Sequence, residues 1–232
     1  MTEERIGPGI PCGPVRRHLW SQHDPGPQHE NSCLPEAIPD EILAGRAGLP
    51  GQHFEVTILF ADLRDFTPWV EATPLHEVVR DLGAYFTEME QAIRGEGGCV
   101  LQFIGDEIEA AFDTQGARAD HARRAVRAAL EMRRRLAAWN VDRGRPLQHG
   151  IGVHTGLVLG GHIGSAQHAS YLLVGDAVNL ASRIQELTKE AGADILVSGS
   201  TRARLGEEVG VAGLPPVRLR GRSEQVAVYR VL

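Results

Sequence analysis

An ordered alternation of strand-like and helix-like segments, beginning at His53, constrains the fold of this chain more than any other feature. Phe54–Ala61 is an uninterrupted β-branched and aromatic run, which predicts a buried strand. Apolar residues at helical spacing follow from Leu75 to Ile93. Cys99–Ile104 and Ile108–Phe112 then enclose a short polar turn, the pattern of a β-hairpin. The first half of the domain therefore reads strand, helix, hairpin.

The second half continues the alternation with another long amphipathic segment. The predicted elements are a helix at Ala117–Asn140, a strand pair at Gln148–His154 and Gly156–Ile163, a short strand at Tyr171–Val174, a helix at Val178–Glu190, and strands at Ile195–Ser198 and Val226–Val231. The order βαββαβ, with additions, predicts a ferredoxin-like α+β fold. We expect an antiparallel-rich sheet with extra strands and with its helices on one face.

Composition divides the chain near residue 50. Eight of the 13 prolines lie at or before Pro50, where periodic apolar residues are sparse. Residues 1–50 are therefore predicted to form a Pro/Gly-rich arm with a short helix near its end, around Pro39. Residues 51–232 are predicted to form one folded domain.

Charge, hydropathy and cysteine usage exclude several classes of protein. The net charge of −6 and pI of about 5.9 are not those of a dedicated nucleic-acid binder. No run approaches 18 apolar residues, so we expect no membrane insertion. The three cysteines, Cys12, Cys33 and Cys99, are widely spaced and odd in number, which predicts free thiols and a cytoplasmic location. The arginines between 123 and 135 are predicted to form a solvated helix face.

Two aspartates stand where apolar strands end. Asp62 follows the first strand, and Asp106 occupies the hairpin turn. Because the first strand of a βαββ unit lies beside the hairpin, the two carboxylates can converge at one edge of the sheet. Carboxylates beside phosphate oxygens suit Mg²⁺ or Mn²⁺. The same spacing is equally consistent with a loop cap and an ordinary turn aspartate.

A later helix carries Asn179 and Arg183 four residues apart on one face, while Val178, Ala181 and Ile184 can pack inward. Together, three motifs resemble the class III nucleotidyl cyclase catalytic domain in sequence and in order: FADLRDFT at 60–67, QFIGDEIEAAF at 102–112 and YLLVGDAVNLASRI at 171–184. The resemblance extends from about residue 35 to residue 232.

This resemblance implies a reaction and a cofactor. The 3′-hydroxyl of a nucleoside triphosphate would attack its own α-phosphorus and expel pyrophosphate, which yields a 3′,5′-cyclic nucleotide. Two Mg²⁺ or Mn²⁺ ions per site would be held by Asp62 and Asp106, with the Leu63 carbonyl as a further ligand.

The resemblance also assigns the remaining site residues. Asn179 would orient the ribose, and Arg183 would stabilise charge that grows on the α-phosphate. Arg220 or Arg222 would bind the triphosphate. Phosphate contacts are further expected from the backbone amides of Arg64, Asp65, Phe66 and Thr67.

Class III cyclases of this type act as dimers with shared sites. The resemblance implies that Asp62 and Asp106 come from one protomer and that Asn179 and Arg183 come from the other. Since this chain carries both halves, a homodimer with two composite sites is expected. The activating signal would come from the arm, a ligand or a regulatory partner.

The base pocket departs from the family pattern. Adenylyl cyclases of the family place a lysine where this chain has Gln102 and an aspartate or threonine where it has Leu172; the guanylyl cyclase pair is absent as well. The apolar Leu172 favours a pyrimidine, with UTP slightly ahead of CTP, because Gln102 can turn its amide to donate or to accept. This would resemble the Pycsar anti-phage cyclases. The alternatives are an adenylate or guanylate cyclase with a non-standard pocket, and a non-catalytic nucleotide sensor.

Overall fold

The computed structural model describes residues 52–113, 119–141, 143, 146–165, 168–218 and 225–232. The predicted arm at residues 1–50 lies outside the described residues, as do Arg220 and Arg222.

Within the described residues, eight strands form one sheet in the order β2-β3-β1-β4-β6-β10-β7, with β5 paired to β4. Every pairing in it is antiparallel except β4 with β6. The strands are β1 (Gln52–Leu63), β2 (Gly98–Ile104), β3 (Glu107–Phe112), β4 (His149–Ser165), β5 (His168–Val174), β6 (Ile195–Ser198), β7 (Val211–Gly213), β8 (Val217–Arg218), β9 (Gln225–Val226) and β10 (Val228–Val231), of which β8 and β9 pair separately. The helices are α1 (Phe66–Ala72), α2 (Leu75–Gly95), α3 (His121–Trp139), α4 (Asp176–Glu190) and α5 (Gly199–Arg202).

Strand β1 is buried on both faces because it is apolar at consecutive positions. Leu59 and Ala61 pack with the buried sides of α2 and α3, whereas Ile58 and Phe60 pack with α4 through residues such as Ala181. The α+β, antiparallel-rich fold class is confirmed. The helices, however, do not all lie on one face: α2 and α3 cover one side of the sheet and α4 covers the other.

The predicted strand pair at 148–154 and 156–163 is wrong, because β4 is one strand of 17 residues. Pairing with β1 continues through the expected turn, with Thr155 opposite Thr57 and Gly156 opposite Val56. Gly156 is needed there for packing, since a Cβ at this position would come within 2.9 Å of the Ala177 side chain of α4. The hairpin partner of β4 is β5 instead.

Glycines of β4 also let α4 approach the sheet closely. A Cβ on Gly152 would overlap the backbone of Gln185 and Ala181, and one on Gly150 would overlap the side chain of Thr188. Gly150 pairs with Asp62. The C-terminal half of α4 is thereby held against the end of β1 at which Asp62 lies.

Two side chains correct the expectations for charge and cysteines. Arg124 is only 6% exposed, because its guanidinium donates to the carbonyl oxygens of Glu96 and Gly97 at the end of α2, at 3.1 and 3.2 Å. Cys99 is disulfide-bonded rather than a free thiol. Of the helices in the described ranges, none is both long and apolar enough to span a membrane.

Candidate active site

The structure brings the Asp62 and Asp106 side chains together at one edge of the sheet. Asp62 lies near the end of β1, and Asp106 follows Gly105, whose φ of 65° allows the tight β2–β3 turn. The two carboxyl groups share a hydrogen bond. Burial, followed by the neighbouring Asp106 carboxylate, raises the pKa of Asp62 to about 7. The fold therefore favours the protonated form of Asp62, and a bound cation would favour its ionised form.

Glu107 adds to this concentration of acid. Burial, with repulsion from Glu109, Asp106 and Glu186, raises the pKa of Glu107 to about 7. In the described part of the chain no group of three or more acidic, histidine or cysteine side chains is arranged around one ion position. An uncompensated pair of hard oxygen ligands fits Mg²⁺ or Mn²⁺, because such ions accept water and phosphate oxygens at their other positions.

The loop after β1 corrects one predicted phosphate contact. The Arg64 amide donates to the Gln148 carbonyl at 2.8 Å, which extends the β1–β4 pairing and leaves this amide unavailable. The Arg64 side chain is also engaged, since it donates to the Ala193 carbonyl at 2.7 Å. Arg64 therefore anchors the loop rather than binding phosphate.

Asp65 then adopts a left-handed conformation, with φ of 55°, and is the N-cap residue directly before α1. Its carbonyl accepts from the amide of Trp69, and its carboxylate lies 3.3 Å from the Lys189 ammonium. In the described ranges the amides of Phe66 and Thr67 have no backbone partner, as expected for the first turn of a helix. These two amides are the ones left to meet phosphate oxygens.

Asn179 and Arg183 point away from the strand that carries Asp62. Each lies two residues after an alanine that faces the sheet, Ala177 or Ala181, and two residues rotate about 200° around a helix. Asn179 is exposed and Arg183 is half-buried. Neither side chain has a hydrogen bond to any other described residue.

Asn179 is also displaced along the sheet from Asp62. Ala177 lies over Gly156, which pairs with Val56, and Ala181 lies over Gly152, which pairs with Phe60. Asn179 therefore lies near the level of residue 58, four residues or about 13 Å along β1 from Asp62. The chain does not bring Asn179 to its own carboxylate pair.

A cleft of about 280 Å³ joins the loop after β1 to the C-terminal half of α4. It contains one predicted metal ligand side chain and several α4 residues that the sequence prediction missed. Of these residues, Glu186 could have been found from the sequence, because it lies three residues after Arg183 on the polar side of α4. The lining residues are Asp62, Leu63, Arg64, Asp65, Gln185, Glu186, Thr188 and Lys189.

A neutral pair of side chains lies beneath the carboxylates. The Tyr85 hydroxyl and the His149 Nδ1 atom are hydrogen-bonded at 3.2 Å and fully buried. Burial and the nearby Arg64 charge lower the pKa of His149 to about 3, whereas burial and the two aspartates raise the pKa of Tyr85. Both groups are therefore uncharged near neutral pH, and they offer the aspartates no positive charge.

The predicted base-pocket residues lie on neighbouring parts of the sheet. Gln102 is half-buried on β2, and its Nε2 atom donates to Oε2 of Glu109 on β3 at 2.5 Å. Leu172 is half-buried on β5. Glu109 is only 5% exposed, and sequence reasoning missed it although a glutamate within IEAAF is an evident anomaly in a buried strand.

Comparisons with known proteins identify the family of this chain. Residues 50–231 match the family described as the adenylate and guanylate cyclase catalytic domain. Adenylate cyclase 1 of Rhizobium meliloti is 32% identical over 207 residues, which cover 84% of this chain and 31% of the relative. An adenylate cyclase of Anabaena cylindrica is 35% identical over 76% of this chain and 36% of its own length. The chain thus spans about a third of these relatives.

Solved structures show the same fold. The guanylyl cyclase Cya2 superposes with a TM-score of 0.71 at 34% identity, over 79% of this chain and 94% of that one. The adenylyl cyclase CyaB of P. aeruginosa superposes with a TM-score of 0.72 at 26% identity, over 79% and 96%. The chain is therefore a nucleotide cyclase domain and belongs to the adenylate and guanylate cyclase catalytic domain family.

Proposed function

We propose that this chain converts a nucleoside triphosphate into a 3′,5′-cyclic nucleotide and pyrophosphate. The observation that carries the proposal is the contact between the Asp62 and Asp106 carboxyls, one of which has its pKa raised to about 7. Two divalent cations held by these carboxylates and the Leu63 carbonyl would lower the pKa of the 3′-hydroxyl and neutralise phosphate charge. Two carboxyls in contact favour the binding of a cation, whereas a single aspartate in an ordinary turn does not.

The chain's own residues supply orientation and charge. In the reaction the 3′-oxygen forms a bond to the α-phosphorus. The bond between the α-phosphorus and the oxygen that bridges it to the β-phosphate breaks, and the hydroxyl proton leaves to solvent. The amides of Phe66 and Thr67 hold phosphate oxygens. The Arg183 guanidinium donates to the α-phosphate as negative charge grows, and Asn179 donates to the ribose. Phosphate binding by Arg220 or Arg222 stays a prediction.

The active sites are proposed to form between two copies of this chain. Asn179 and Arg183 project away from their own Asp62, so a second protomer can bring them to it. The surface supports self-association, because large apolar side chains are exposed on the β2–β3 and β4–β5 segments. These are Phe103, Ile104, Leu157 and Val174.

We propose a pyrimidine triphosphate as the substrate. Leu172 offers an apolar wall and no hydrogen bond, which suits a single ring better than the polar edges of a purine. A cyclic pyrimidine product would support an anti-phage role. The second candidate is ATP, which is favoured by the names of two relatives, the adenylate cyclases of Rhizobium meliloti and Anabaena cylindrica.

The test is a product assay with each of the four ribonucleoside triphosphates and Mn²⁺, read by mass spectrometry. We expect a cyclic nucleotide from wild type, none from Asp62→Ala or Asp106→Ala, and an unchanged yield from Glu88→Ala on the surface of α2. Binding of a triphosphate without any cyclic product would contradict the proposed cyclase activity and favour a non-catalytic nucleotide sensor.

Substrate preference is read from kcat/KM for all four triphosphates. A wild-type preference for ATP or GTP of more than about tenfold, or roughly 1.4 kcal/mol, would contradict the pyrimidine proposal. The double variant Gln102→Lys with Leu172→Thr, which restores residue types of adenylyl cyclases, is expected to shift the ratio toward ATP.

A further inference from the structure

The strongest unexplained feature outside the catalytic groups is the buried hydrogen bond between Gln102 and Glu109. Glu109 lies on β3 between Ile108 and Ala110, both fully buried, and opposite Phe60 of β1. A glutamate in such a strand costs free energy unless its carboxylate is paired. Its partner is the Gln102 amide, at 2.5 Å.

The chemistry of this pair fixes the direction of the amide. An ionised carboxylate can only accept hydrogen bonds, so Gln102 must turn its NH₂ group toward Glu109. Its carbonyl oxygen then points the other way. Within the described residues that oxygen has no partner, and it is not sealed from solvent.

The hydrogen bond also favours the ionised form of Glu109. Burial raises the pKa of Glu109, and donation from Gln102 acts in the opposite direction. The pair is therefore mutually dependent: the amide stabilises the charge, and the charge holds the amide. A free glutamine could present either end to a ligand, and this one cannot.

We propose that Glu109 is a positioning residue that locks Gln102 as a hydrogen-bond acceptor, so that the site selects a base with an amino group at pyrimidine C4 or purine C6. CTP is then preferred over UTP, and ATP over GTP. This inference rests on the proposed function of the pocket. It reverses the order of the two pyrimidines expected from the sequence, and it holds for either ring size.

The wild-type enzyme tests the inference without any variant. We expect kcat/KM for CTP to exceed that for UTP by about tenfold or more, with the same direction for ATP over GTP, since one paired base edge discriminates by about that factor. The dissociation constants of the four triphosphates, measured by competition with a fluorescent nucleotide, should follow the same order. A preference for UTP over CTP, or for GTP over ATP, would overturn it.

Glu109→Gln tests the locking itself. A glutamine at 109 can donate or accept, so Gln102 is free to turn. The ratio of kcat/KM for the amino base to that for the carbonyl base (CTP over UTP, ATP over GTP) should therefore fall to within about threefold, while kcat for the best base is retained. Glu109→Met, which removes the partner, should give the same loss of ratio. Glu88→Gln, the same chemical change at an exposed Arg135 contact on α2, should leave the ratio unchanged. An unchanged ratio in both Glu109 variants would contradict a positioning role.

The two proposals fail in different ways. The absence of a cyclic product from any triphosphate defeats the cyclase function, and the binding order still reports on Gln102. Cyclic products without an amino-base preference defeat the role of Glu109 and leave the cyclase function intact.

Discussion

Asp62 and Asp106 lie so close together in a partly buried site that ionising both carboxyls costs free energy, and a cation between them would lower that cost. Because the pKa of Asp62 rises from 3.8 in an unfolded chain to about 7 in the fold, its ionised form is destabilising in the metal-free protein. The stabilising contribution of the protonated group is complete below about pH 4 and is lost as the pH rises through about 7. A bound divalent cation would reverse this preference.

We therefore expect the metal-free protein to lose stability between about pH 4 and pH 7, on the order of 1–2 kcal/mol after allowance for partial solvation. Mn²⁺ should stabilise it most above pH 7, where the carboxylates are ionised. Thermal unfolding with and without Mn²⁺ measures both effects. Asp62→Asn should flatten the pH dependence in part, since Glu107 also titrates near 7, and it should abolish the response to Mn²⁺. A variant with an undiminished Mn²⁺ response would place the cation elsewhere.

At the scale of elements, the contact between β4 and α4 determines where the helix that carries Asn179 and Arg183 lies. Gly152 has the backbone of Gln185 and Ala181 directly above it, and backbone cannot move as a side-chain tip can. The position of Asn179 and Arg183 relative to the sheet therefore depends on a residue with no side chain at all.

Gly152→Ala is expected to destabilise the fold by about 2–3 kcal/mol, because a methyl group there forces α4 away from β4. Gly83→Ala is the matched control. Gly83 lies inside α2 with open space around its Cβ position, and alanine is the better helix former, so it should stabilise by up to about 1 kcal/mol. Urea unfolding measures the stability of both variants. Equal stabilities of Gly152→Ala and Gly83→Ala would show that the fold does not depend on the close approach of α4 to β4.

At the scale of the whole molecule, the proposed sharing of active sites between two protomers makes a specific prediction for mixed dimers. Asp62→Ala and Arg183→Ala protomers are each expected to be inactive alone. In their heterodimer one site combines the intact half of each protomer, and the other site carries both lesions. With random mixing, half of the dimers are heterodimers, and one of the two sites in each heterodimer is intact. Co-expression should therefore recover roughly a quarter of wild-type activity.

The control for this experiment combines two variants that each lack one of the two carboxylates. Asp62→Ala co-expressed with Asp106→Ala leaves every composite site without one carboxylate, so no activity should return. Recovery in this control, or its absence in the first mixture when light scattering confirms dimers, would refute shared sites.

The sequence by itself determined the order of the elements and the chemistry at their ends. Consecutive apolar residues in β1 required a strand buried on both sides, and the aspartate directly after that strand became a candidate metal ligand once the three motifs were considered together. The convergence of Asp62 and Asp106 followed from a hairpin beside β1. These features depend on local periodicity and on neighbouring strands, which a sequence records directly.

Only the tertiary structure decided the features that depend on distant segments. Gly156 looked like a turn, but pairing with β1 and the approach of α4 made it part of one long strand. Arg124 looked like its exposed neighbours, but the carbonyl ends of α2 lie within reach and bury it. Arg64 is held by Ala193, 129 residues away, and Gln102 is fixed by the register that places Glu109 opposite it. A side chain's partners depend on which strands and helices meet, and sequence spacing alone does not contain that information.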